Sequence, residues 1–125
     1  IEHHANSDFP IYRYADILLM KAECLMRLNG GVANGEALDL INQVHTRAGL
    51  DPYTTIDMDE LLDERGRELA WEGHRRQDLI RFNKYWQGEW EFMEDATKSK
   101  HVEIFPIPEW VMTANPGVYT QNPGY

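Results

Sequence analysis

Between Tyr14 and Asn29 the residues Ile17, Leu18, Leu19, Met20, Ala22, Cys24, Leu25, Met26 and Leu28 follow one another with no Gly or Pro among them. Gly30-Gly31 then stops the run. The pattern predicts a helix ended by a glycine break. Its apolar positions lie almost all the way round, so it needs neighbours on more than one face. In a chain of 125 residues that requirement dominates everything else: the segment has to belong to a helical assembly. Cys24, the one cysteine, is expected inside that helix as a small buried hydrophobe. A lone cysteine forms no intrachain disulfide and leaves the redox compartment open.

The following segments repeat the helical theme. Ala37, Leu38, Ile41, Val44 and Ala48 form one stripe at helical spacing from about Glu36 to Ala48, with Asn34 as a candidate cap and Gly49 as the break. The short Gly/Asn-rich link makes the first two helices an antiparallel hairpin. A third helix is expected from Asp57, where Asp57 and Glu60 have capping-box spacing and Ile56 can staple onto Leu61. Leu61, Leu62, Leu69, Ala70 and Trp71 are expected on its core side. Gly66 inside it costs about 1 kcal/mol relative to Ala, which suits a close approach at that point. Gly73 marks a bend before a further helical stretch, Arg75 to Phe82. From Ile104 the prolines Pro106, Pro108, Pro116 and Pro123 forbid a long helix, although Pro108 can open one short helical turn through Val111 and Met112. The expected fold class is all-α, helical hairpins followed by a long extended Pro-rich tail.

Charge narrows the partners. With 21 acidic and 12 basic residues the formal net charge is -9, so the chain lacks the basic surface that nucleic-acid phosphates need. Hydrophobic residues make up 42% and charged residues 26%, a globular balance. No apolar run approaches the length that spans a bilayer. The sequence as written shows neither a signal peptide nor a lipidation motif, which leaves an export signal on a longer precursor open.

Four groupings bear on chemistry. Glu64, Arg65, Arg67, Glu68, Glu72, Arg75, Arg76, Asp78 and Arg81 form a dense charge lattice. An acid/base carboxylate pair or an arginine clamp for an anion would use such residues. Each acid has a basic neighbour and no nucleophile accompanies them, so an interhelical ion-pair network is the better reading. His74 and Asp78 lie one helical turn apart, but no metal motif or nucleophile joins them, and a surface or helix-packing histidine is expected. The acidic start Asp57-Met58-Asp59-Glu60 fails as a calcium loop, because Leu61 and Leu62 stand where an oxygen ligand and a glycine belong. His3 and His4 are adjacent and read as a loop rather than a metal site. The aromatic cluster Tyr85, Trp86, Trp90 and Phe92 alone suggests binding, since flat rings stack on sugar faces and Trp is enriched at interfaces. The same rings also serve to cover helix ends, and both readings stay open. Tyr85, Trp86 and Trp90 are the candidate ligand-binding residues; no catalytic residue, metal or cofactor is expected.

In order along the chain, four stretches resemble the C-terminal part of the SusD/RagB family. These are the run from Tyr12 to Glu23 (YRYADILLMKAE), Ala37 to Val44 with Arg47-Ala48-Gly49-Leu50, Glu64 to Phe82 (ERGRELAWEGHRRQDLIRF), and the terminus FPIP…NP…QNPGY. His45 stands where the family usually has arginine, and Gly66 interrupts the basic-acidic block, so an unaltered copy of the family's salt bridges is not expected. The resemblance implies a tetratricopeptide-like scaffold in a surface-exposed outer-membrane lipoprotein. Such a protein captures glycans, or peptides in some branches, over a TonB-dependent transporter of SusC type. It implies no enzyme, and places family ligand sites largely in segments before this one. The whole chain, 1–125, is then one C-terminal helical domain and a fragment of a longer protein, serving as scaffold and transporter contact. The rival from another class is a helical-repeat protein-interaction module that binds no sugar. A glycoside hydrolase would need two facing carboxylates across a cleft.

Overall fold

The computed structural model describes residues 10–88 and 99–125. It divides into two compact units, residues 1–78 and 79–125. In the first, α1 (Tyr14–Leu28) and α2 (Gly35–Arg47) form the expected hairpin, and α3 (Met58–Glu68) packs on α1 as well. Leu19, Ala22 and Met26 of α1, Ile41 and Val44 of α2, and Leu61 and Leu62 of α3 are buried together with Ile56 and Leu69. Each Leu, Ile, Val and Met side chain among them contributes roughly 1.5–3 kcal/mol through removal from water. Among the described residues the only β pairing is an isolated bridge between Val32 and Asp57.

The boundaries follow local chemistry. Asp57 caps α3, its carboxylate accepting from the amides of Asp59 (3.0 Å) and Glu60 (2.9 Å). The reciprocal half of a capping box is replaced: Glu60 turns outward to Tyr53 and Arg67. Asn34 occupies the cap position of α2 without a side-chain hydrogen bond. Gly66 has the close neighbour its position suggested. A Cβ there would lie 2.7 Å from Arg75 Nη1, whose group donates to the Leu62 carbonyl at 2.6 Å.

Two expectations fail in this unit. Trp71 is not core: α3 ends at Glu68, only Leu69 of the run that follows is buried, and Trp71 is 100% exposed in a turn with φ +66. Once the helix gives way, the spacing that placed Trp71 on the inner face no longer applies. Cys24 is exposed rather than buried, because it lies on the face of α1 opposite the stripe that meets α2 and α3.

α4 (Arg75–Arg81) crosses the boundary between the units. The second unit contains a 3₁₀ turn, Lys100–Glu103, and α5 (Glu109–Ala114), which opens after Pro108 as its fixed φ favours. The tail is therefore extended only in part. Its last residues are held by side-chain amides: Gln121 accepts from Ile107 N–H (2.8 Å) and donates to Ile107 C=O (2.9 Å), imitating a strand partner. Asn122 donates to the Phe105 carbonyl at 2.7 Å and Tyr125 Oη to that of Ile104 at 2.9 Å. The His101 and Tyr125 rings meet edge to face, 4.9 Å apart, over Gly124.

Candidate functional site

The charge lattice of the first unit is a set of arginine clamps that tie α1, α2 and α3 together. Arg13, just before α1, donates Nε to both oxygens of Glu72 (2.9 and 2.8 Å). Its Nη1 reaches Glu68 Oε1 at 2.9 Å and its Nη2 the Glu68 carbonyl at 2.8 Å. Arg47 of α2 reaches the same Glu68 carboxylate at 2.8–2.9 Å. Such forked pairing suits guanidinium and would not survive replacement by lysine. The hydrogen bond from Arg13 holds the Glu72 carboxyl below its ordinary range.

At the centre Arg65 is buried between two carboxylates, Asp16 of α1 at 2.9 Å and Asp78 of α4 at 2.8 Å. Its Nη1 has no hydrogen-bond partner among the described residues. Desolvating three charges is costly, and mutual attraction repays it only with close geometry. Arg65 thus fixes where three helices meet.

A second knot joins α2, the 48–57 connection and α3. His45 Nδ1 lies 3.1 Å from Glu64 Oε1, and its ring rests 4.0 Å from that of Tyr53. Tyr53 Oη donates to Glu60 (2.8 Å), and Arg67 donates to Glu60 (2.6 Å) and Glu64 (2.8 Å). Hydrogen bonds from Arg67 and then Tyr53 lower the Glu60 pKa; burial and the bond to Glu60 raise that of Tyr53. His74 is buried with Gln77 3.1 Å from its Nδ1, the packing alternative and not the surface one, while Asp78 serves Arg65. Among the described residues no three His, Cys, Asp or Glu side chains could hold a metal ion. The lattice reads as architecture, with its carboxylates committed to guanidinium partners.

The aromatic candidates lie elsewhere. Tyr85 and Trp86 sit half-buried in the turn after α4, and Trp86 Nε1 is buried with no hydrogen-bond partner among the described residues. Trp90 and Phe92 fall outside the described residues, as do His3 and His4. Sequence reasoning missed Trp71 and the exposed Phe105, Trp110 and Tyr119 of the second unit. The turn residues around Gly73 and the prolines of the tail were the available signals. The first unit also carries a groove of about 660 Å³ lined by Arg13, Tyr14, Ala15, Leu18, Gln43, Val44 and Arg47.

Residues 2–125 match the profile of the SusD family. The chain belongs to the SusD family. The starch-binding protein SusD of Bacteroides thetaiotaomicron is 34% identical over 98% of this chain, which spans only 22% of SusD's own length. A SusD-like protein of Formosa agariphila is 40% identical over 59% of the chain and is matched over 17% of its length. A SusD superfamily crystal structure from Parabacteroides distasonis superposes on 94% of the chain with a TM-score of 0.72 at 30% identity, covering 27% of that structure. A SusD homologue from B. thetaiotaomicron gives 0.69 over 90% of the chain. The SusD-type helical arrangement is thus the fold of this chain, which spans between 17% and 27% of the length of these relatives.

Proposed function

We propose that this chain is part of a non-enzymatic glycan-binding protein of the outer membrane, lipid-anchored and surface-exposed. In this reading it hands polysaccharide to a TonB-dependent, SusC-like transporter. The observation that carries the reading is the match along almost the whole chain to a relative named for binding starch. The commitment of the interior carboxylates to arginines supports a scaffold role in place of catalysis. No helix among the described residues is long and apolar enough to cross a membrane, so an anchor elsewhere in the protein would hold it there. Within this segment Tyr85, Trp86 and Trp90 are the proposed sugar-contacting residues, through flat rings of the kind that stack on sugar faces.

Isothermal titration of the full-length protein against a panel of soluble polysaccharides tests this. Binding of at least one of them is expected. Trp86→Ala is expected to weaken it if the aromatic cluster takes part and to leave it unchanged if this segment is scaffold alone. Failure of every polysaccharide, alongside capture of a transporter, would replace the glycan reading with a protein-interaction module.

A further inference from the structure

Trp71 stands where the backbone would favour a smaller residue. Its side chain is wholly exposed, and its φ of +66 lies in the left-handed region, which a bulky residue enters only at a cost in strain. Gly73, in the same turn, adopts φ +81 without that cost. Strained residues of this kind cluster at ligand sites. Beside the ring lies a pocket of about 440 Å³ lined by Asp63, Gly66, Arg67, Ala70, Trp71 and Arg75, a volume in the range of small-molecule sites. Its polar wall is held in place. Arg75 lies against α3, Nη1 donating to the Leu62 carbonyl at 2.6 Å and Nη2 to Asp63 Oδ1 at 3.1 Å. It uses the space that Gly66 leaves by having no Cβ. Arg67 is tied to Glu60 at 2.6 Å and to Glu64 at 2.8 Å.

We propose that Trp71 and this wall form a subsite for one neutral hexopyranose residue of a glycan, additional to Tyr85, Trp86 and Trp90. The inference rests on the glycan-binding reading. The indole takes the C–H face of the sugar, while the Arg75 guanidinium and the Asp63 carboxylate offer donors and an acceptor to its hydroxyls. A neutral sugar suits the charges present. Both arginines already hold carboxylates, so an anion would have to displace one. A hydroxyl can donate to the acid and accept from the base with the pair intact. A protein seam suits them less. Covering a ring set among Asp63, Arg67 and Arg75 would take charged groups out of water, whereas a sugar brings hydroxyls that replace that water.

The test is calorimetric titration of the full-length protein with short neutral oligosaccharides of the gluco-, manno- and galacto- series and with oligogalacturonate, beside thermal melts of each variant. Trp71→Gly removes the ring and the left-handed strain together. Its melting temperature is expected at or above that of the wild type, while affinity for the neutral series that binds falls about tenfold or more. Gly66→Ala keeps the ring but shifts Arg75, and should weaken the same series about fivefold. A lower melting temperature in Trp71→Gly would show the ring packed against the rest of the protein and overturn the proposal. Unchanged affinity in either variant, or preference for oligogalacturonate, would overturn the subsite and leave the glycan reading standing. Loss of transporter capture in Trp71→Gly with sugar binding intact would assign the ring to a protein partner instead. If no oligosaccharide bound the wild type, the glycan reading would fail and this subsite with it.

Discussion

The helical interior of the first unit and the tail of the second are fastened by different means. In residues 10–78 charged side chains are driven into a dry interior, where Arg65, Asp16 and Asp78 are each almost wholly buried. In the tail of the second unit neutral groups do the fastening at Ile104, Phe105 and Ile107: the amides of Gln121 and Asn122 and the hydroxyl of Tyr125, each set on a backbone group. All of the buried apolar side chains among the described residues except Leu79 belong to the first unit. Where helices already satisfy their own backbone, side chains are free to cross between elements and set the angle of packing. Where prolines prevent regular structure, side chains must instead satisfy the backbone itself. Ion pairs between the helices and amide clamps on the tail answer different needs.

The largest effect should come from Arg65. Arg65→Met takes the shared guanidinium from two buried carboxylates and is expected to cost about 3–5 kcal/mol, read as a shift in the urea unfolding midpoint. Adding Asp16→Asn and Asp78→Asn to Arg65→Met should recover much of the loss, since neutral groups tolerate that interior better than unpaired charges. A cost under 1 kcal/mol for the single change would mean the buried triad does not hold the unit, and the contrast between the units would collapse.

Two glycines sharpen the contrast, because each would place a new Cβ 2.7 Å from a neighbour. At Gly124 the neighbours are Cβ and Cγ of His101, fixed to the backbone, and φ is +96. Gly124→Ala is expected to cost about 2 kcal/mol, from strain in a left-handed conformation and a clash that cannot rotate away. At Gly66 the neighbour is the tip of Arg75, a flexible side chain. There the gain of about 1 kcal/mol in helix propensity should roughly offset the loss of the Arg75 bond to Leu62. Thermal melts of both variants would check the pair; equal losses would show that the interior clamps are as intolerant as the tail.

How much of this was legible beforehand depends on how far the partners lie apart in sequence. The bounds of α1, α2 and α4 and the Asp57 cap follow from local patterns, and the structure has them within a residue or two. The block from Glu64 to Arg81 announced ion pairing. It could not show that Arg13, Asp16 and Arg47 supply the partners, because those contacts close loops of 21 to 59 residues. Trp71 was misplaced because spacing predicts a face only while the helix lasts, and α3 ends three residues earlier. Cys24 was misplaced because an apolar residue on a helix shows that it wants a neighbour, without showing whether this stretch of chain provides one. Trp86 was legible as an aromatic beside others, while its unpartnered N–H is a property of packing alone.

Between these extremes, Gln121→Ala removes both bonds to Ile107 and should cost about 1–2 kcal/mol. Hydrogen exchange at the Ile107 amide would read it directly: faster exchange is expected there, with α1 to α3 unaffected.

The smallest effect, and the one that separates the units most cleanly, is acid. The carboxyls of Glu72 and Glu60 titrate below their ordinary value of 4.5, held down by Arg13 and by Arg67 with Tyr53. A depressed carboxylate stabilises the fold above its unfolded pKa, and that contribution is lost as pH falls through the folded value. Amides of α1 and α3 should therefore lose exchange protection as pH falls below about 4.5, with the Ile107 amide holding its own, because the Gln121 clamp contains no titrating group. Arg13→Gln should remove the share due to Glu72 and flatten the acid response of α1 first. If the tail loosened over the same pH range, its neutral fastenings would depend on the charged unit after all. The difference between the two modes of construction would then be one of chemistry without independence.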